Sequence, residues 1–104
     1  MLRDEAELVA IELTSKQATR ERDYAEDRLK LARGRYHLEL IARRKAGEQL
    51  TIADMKAMED CAIEDIPDVK AAYLNLMEKE AEADIKSIRW GSAEREYWDS
   101  RKSK

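Results

Sequence analysis

Between Arg28 and Lys45 the chain reads RLKLARGRYHLELIARRK, with seven bases (Arg28, Lys30, Arg33, Arg35, Arg43, Arg44 and Lys45) and one acid, Glu39. Guanidinium and ammonium groups at this density can neutralise phosphates, which is the chemistry of nucleic-acid contact. Tyr36 lies inside the stretch, and Trp90, Tyr97 and Trp98 lie near the other end of the chain. Such rings can stack on the bases of a single strand, or can simply pack. The same pattern admits two other readings. One is a helix that lies on a membrane surface or in a peptide groove. The other is a solvated face whose charges pair with neighbours. Arg43, Arg44 and Lys45 would also suit the negative end of a helix dipole without any ligand.

Catalysis has little to stand on. His37 is the one histidine, and a single helical imidazole lacks the partners of a general base. Cys61 is the one thiol, and Asp60 and Glu64 beside it oppose thiolate formation, so a buried structural thiol is expected. No Cys/His spacing suits zinc, and no glycine-rich loop suits a phosphate. The acidic run Glu59, Asp60, Glu64, Asp65 and Asp68 lacks the spacing of a calcium loop. No enzyme activity, metal or cofactor is expected.

The elements that would position the basic stretch are helices. Charged residues make up 41% of the 104 and aromatics 6%, with no Phe, so a core folded from one copy alone would be thin. From Arg3 to about Lys45 there is no Pro, and the only Gly is Gly34. Leu8, Ile11, Ala18, Ala25, Leu29, Ala32, Tyr36 and Leu40 recur at spacings of three, four or seven, a heptad-type seam broken by Ser15 and Arg22. Tyr24, Leu31 and Leu38 form a second stripe, which calls for neighbours on two sides. An unbroken helix would be roughly 60 Å long at 1.5 Å per residue, so it either kinks near Gly34 or projects and pairs.

The helix should stop at Ala46–Gly47. Thr51, with Asp54 three residues on, signals the N-cap of a short helix over 52–65, with Ile52, Met55, Met58, Ala62 and Ile66 facing inward. Ile66-Pro67-Asp68 opens the last helix, expected over 67–98, with a frayed tail at 99–104. Its first stripe is Val69, Tyr73, Leu76 and Met77, and Leu74, Ala81, Ile85 and Ile88 continue it, with Gly91 as a candidate bend. The expected fold is all-α: one helical domain over 1–104, completed by self-association into a bundle or coiled-coil assembly.

Charge is unevenly spread. Residues 1–27 carry net −4, 28–45 net +6, 46–84 net −8 and 85–104 net +3. Alternating blocks of this kind favour ordered docking between copies or with charged partners. Acids begin at Asp4 and no apolar core follows, so no secretory leader is expected. No apolar run approaches a membrane span, and the single Cys fits a cytoplasmic setting.

Two segments resemble the UvsY-type recombination mediator proteins of tailed phages. In KLARGRYHLEL, the resemblance places that family's basic pair on Arg33 and Arg35, with Arg in place of the first Lys and His37 in place of an acid. In EADIKSIRWGSAEREYWDSR, it matches Ile85, Lys86, Ser87, Trp90 and Gly91. The resemblance covers roughly residues 20–100. It implies a small helical protein that binds single-stranded DNA and assembles into rings. It further implies a role in loading a RecA-like recombinase onto strands coated by single-strand binding protein, in the host cytoplasm.

On this reading Arg28, Lys30, Arg33, Arg35, Tyr36, Arg43, Arg44 and Lys45 meet nucleic acid, while Ile85, Ile88, Trp90, Tyr97 and Trp98 meet a neighbouring subunit. The partners are single-stranded DNA, further copies of the chain, a RecA-like recombinase and a single-strand binding protein, with no membrane. The rival is a helical adaptor or small phage structural protein that touches no nucleic acid.

Overall fold

A computed structural model describes residues 4–102, and within them the chain is all-α. Helix α1 spans Glu5–Lys45, α2 Ile52–Asp60, α3 Ala62–Asp65 and α4 Pro67–Lys102. Packing divides the chain into two compact units. One is Met1–Asp23 with Glu78–Lys104, and the other is Tyr24–Met77.

The start of α1 is fixed by Asp4, whose carboxylate accepts from the Glu7 amide at 2.7 Å, with Glu5 and Glu7 at the positive end of the dipole. The helix runs through Gly34 without a break. It ends at the expected glycine. Gly47 has φ +105°; its amide donates to the Arg44 carbonyl and the Glu48 amide to that of Arg43. This is the paired closure of a Schellman turn. Gly47→Ala is therefore expected to cost about 1–2 kcal/mol, since an L side chain resists left-handed backbone. A Cβ added at Gly34 would meet nothing within 4 Å, so Gly34→Ala is expected to add about 0.5–1 kcal/mol. Urea unfolding of the two variants checks both signs.

In the unit Tyr24–Met77, Ala25, Leu29, Tyr36 and Leu40 of α1 bury against Met55, Ala62, Val69 and Leu76. The expected seam thus faces the core, and Leu40 and Val69 are fully enclosed. Thr51 and Asp54 form the expected capping box, each side chain bonded to the other's amide at 3.0 Å. The expected single helix over 52–65 is two, parted at Cys61. Cys61 is exposed, contrary to the expectation of a buried thiol, because it sits at that junction rather than on a packed face. Ile52 is also exposed: Cβ bonds tilt toward a helix's N-terminus, so a side chain at the first position projects off the end. Ile66 takes the extended conformation that a following proline imposes, and Pro67 opens α4.

In the other unit, Glu21 of α1 lies 3.8 Å from Lys79 of α4, while Glu7, Ala10, Ile11 and Thr14 share a small cleft with Lys86 and Arg89. The two segments therefore run in opposite directions. The buried residues are Ala18, Ala83, Ala93 and Tyr97, small except for the last. Trp90 is partly buried, and its indole N–H has no hydrogen-bond partner among the described residues, a local cost of about 1–3 kcal/mol.

The inward register of α4 differs from the expected one. Val69, Leu76, Ala83, Trp90 and Tyr97 recur every seventh residue on the packed side. Met77, Leu74, Ala81, Ile85 and Ile88 face solvent instead. The helix passes through Gly91 and reaches Lys102, beyond the expected end at 98. There Ser100 Oγ donates to the Tyr97 carbonyl, and the Arg101 guanidinium sits 4.5 Å from the Tyr97 ring centroid. The rest of the expected frayed tail, residues 103–104, and Met1–Arg3 lie outside the described residues.

Candidate nucleic-acid interface

The eight residues expected at nucleic acid all lie on α1 in the unit Tyr24–Met77, but they do not share one surface. Arg28, Lys30, Arg33, Arg35, Arg44 and Lys45 are exposed, and none has a carboxylate within ion-pair distance among the described residues. Arg43 differs. Its Nε and a terminal nitrogen hold both Glu48 carboxylate oxygens, at 2.6 and 2.8 Å. The cause is local: the Schellman turn folds Glu48 back over the last turn of α1. Tyr36 is buried in the core cluster, so it packs rather than stacks.

Helix geometry sorts the six free cations. At about 100° per residue, Lys30, Arg33, His37 and Arg44 fall along one side, while Arg28 and Arg35 fall on the other flank of the exposed Tyr24, Leu31 and Leu38 stripe. The surface bears this out. One cleft of about 430 Å³ brings Arg33 and His37 together with Glu59 and Asp60. Another of about 290 Å³ joins His37, Ile41 and Arg44 to Ile52, Met55 and Lys56 of α2. His37 Nδ1 donates to Glu59 Oε1 and ties α1 to α2. This side thus carries Arg33, Arg44 and Lys56 with the carboxylates of Glu59 and Asp60 among them, and helix geometry adds Lys30, which lines a separate cleft with Asp27 and Arg35. Lys56 stands alone among acids in the sequence, and the capping box that starts α2 at Ile52 brings it here. Lys45, about 100° from Arg44, points away from this row.

Two carboxylates here are held below their usual range. Glu48 is lowered by its hydrogen bonds to Arg43, and Asp54 by its bonds to the Thr51 amide and hydroxyl. A carboxyl depressed in the folded state adds stability above its unfolded pKa of about 4 and loses it as pH falls through the folded value. Thermal stability should therefore decline below about pH 4, and Asp54→Asn should flatten that limb by lowering stability at neutral pH while leaving the acid end close to wild type. Melting curves across the acid range test it.

Of the residues assigned to a neighbouring subunit, Ile85, Ile88 and Trp98 are exposed, Trp90 is partly buried, and Tyr97 is buried with its ring edge-on to Trp98 at 5.4 Å. Among the described residues no group of three His, Cys, Asp or Glu side chains could hold a metal ion, and no helix is long and apolar enough to cross a membrane. Comparison with protein-family models, with curated proteins and with solved structures finds no match.

Proposed function

We propose that the chain is a non-catalytic, self-associating protein that binds single-stranded DNA as a recombination mediator and helps load a RecA-like recombinase. The observation that supports this is the row Lys30, Arg33, Arg44 and Lys56: four exposed cations from two helices, none with a carboxylate within ion-pair distance among the described residues. Free cations keep their counterions until phosphate displaces them, and that release drives binding to a polyanion. One copy offers a short row. Several copies would offer a multivalent track on which weak contacts add through effective concentration. The recombinase-loading role rests on the resemblance in residues 30–40 and 82–101.

A titration of labelled oligothymidine tests the reading. Four phosphate contacts give a slope of about −3 in log affinity against log salt, so affinity should fall roughly 50-fold between about 50 and about 200 mM salt. A chain that ignores single strands at the lower salt is not a mediator. The adaptor reading then gains, since Leu31, Leu38, Ile85 and Ile88 are all exposed and apolar.

A further inference from the structure

Of Tyr36, Trp90, Tyr97 and Trp98, the fold buries the two tyrosines and partly buries Trp90. Trp98, on the last turns of α4, is left 53% exposed. Its ring meets the Tyr97 ring edge-on, with 5.4 Å between centroids, and the Arg101 guanidinium covers the Tyr97 ring at 4.5 Å. These contacts hold the indole in one orientation while its outer surface stays open. A ring fixed before a ligand arrives has little freedom left to lose on binding.

The surroundings of Trp98 say what such a ring is suited to meet. At about 100° per residue, Arg95 and Lys102 share one flank of it, three residues before and four after. They lie about 10 Å apart along the axis, with the indole between them. Both are exposed, and neither has a carboxylate within ion-pair distance among the described residues. Arg101 and the partly buried Glu94 lie on the other flank, while Glu96 and Asp99 are already engaged. Arg101 and Lys102 also offset the negative end of the helix dipole. At seven-residue steps back along the same side stand Gly91 and Asp84, so no apolar stripe runs through Trp98. A helix lying on lipid needs a broad apolar face, and a seam between helices needs a repeating one. An unpaired nucleobase needs only an open π-face with cations beside it.

We propose that Trp98 is a stacking platform for an unpaired nucleobase of a single strand, with the flank of Arg95 and Lys102 drawing the strand's backbone alongside. This is a second single-strand contact, in the unit that lacks the row Lys30, Arg33, Arg44 and Lys56, and it rests on the single-strand reading proposed above. It gives Trp98 to the strand rather than to a neighbouring copy. The ring is neutral and every base has a π-face, so stacking adds affinity that depends little on sequence. Salt does not displace it as it displaces contacts made by counterion release.

Tryptophan emission of the full chain at low salt tests it. Trp90→Phe leaves Trp98 as the sole reporter, and oligothymidine should quench it strongly, since a stacked base quenches an indole. Trp98→Phe leaves only Trp90, and the quench should be nearly lost while most of the affinity stays. Trp98→Leu keeps an apolar side chain without a π-face. Its affinity for oligothymidine should fall about fivefold or more, with the salt slope and the sedimentation of the free protein unchanged. Trp98 is exposed, so both variants should melt like wild type. A Trp98 left unquenched on bound DNA, or a Trp98→Leu chain that binds like wild type, would overturn the proposal. So would a Trp98→Leu chain that loses self-association, which returns the ring to a neighbouring copy. Vesicles of phosphatidylserine and phosphatidylcholine should leave the emission unshifted, and a blue shift would assign the ring to lipid instead. If oligothymidine binds without involving Trp98, the mediator reading stands and only the platform falls. If wild type binds no oligothymidine at all, both fall.

Discussion

Leu40→Ala is expected to lower the unfolding free energy by about 2–5 kcal/mol, the range for a buried leucine that leaves a cavity. Leu40 is fully enclosed, on the α1 seam that carries Tyr36 and meets Met55, Ala62 and Val69. Few large side chains share that burden, and the neighbours at Ala25 and Ala62 cannot collapse into the space. For a chain of this size the melting temperature should drop by about 10 °C or more. Leu38, two residues away and 65% exposed, is the control. In dilute solution, with copies apart, Leu38→Ala should stay within about 0.5 kcal/mol of wild type. Guanidinium unfolding of the pair decides whether α1 is oriented as described. Equal losses would mean that both stripes are buried, and a larger loss at Leu38 would mean that α1 is rotated.

The contrast between these two leucines marks what was legible in the sequence. The α1 seam could be read because Leu29, Tyr36 and Leu40 are large and recur at heptad spacing. The turn at Gly47, the box at Thr51 and the stop before Pro67 could be read because each rests on a local rule involving a few bonds. The register of α4 could not. Its packed positions include Ala83 and Ala93, whose small side chains carry almost no periodic signal. The larger Leu74, Ile85 and Ile88 suggested a core on the wrong side of the helix. The inward side of α4 is set by the alanine seam it shares with Ala18 of α1, where small residues let helices approach closely. Cys61 misled for a different reason. A thiol's usual burial is a tendency, and its exposure here follows from a two-helix junction that no local rule signalled.

The basic stretch was legible as composition but not as a surface. Seven bases in eighteen residues invite one reading for all of them, yet the fold separates six of them into three groups and leaves Lys45 apart, about 100° around α1 from Arg44. Arg43 belongs to the helix stop. Arg28 and Arg35 border an apolar stripe. Arg33 and Arg44 join Lys30 on a side that α2 completes with Lys56, a residue more than ten positions from the stretch. Only the path of the chain through the Gly47 turn and the Thr51 cap brings it there.

Arg33→Ala with Arg44→Ala is expected to weaken single-strand binding about tenfold or more at low salt and to reduce the salt slope by about 1.4, since each lost phosphate contact removes about 0.7. Both side chains are exposed and have no carboxylate within ion-pair distance among the described residues, so the double variant should unfold like wild type. Arg43→Ala should behave in the opposite way. Its guanidinium is already held by Glu48, and its loss leaves that carboxylate without the partner that depresses its pKa. Binding and salt slope should then stay near wild type, while the acid limb of the stability curve weakens. The comparison separates a specific cationic row from general positive charge, because the double variant removes two charges from the row and Arg43→Ala removes one outside it. If Arg43→Ala shifted the slope by about 0.7, as a row member should, phosphate would be competing with Glu48 for the helix end, and the row would have to include it. If the double variant left the slope unchanged, the phosphate contacts would lie elsewhere. Arg28 and Arg35, on the far side of the Leu31 stripe, would then be the next residues to remove.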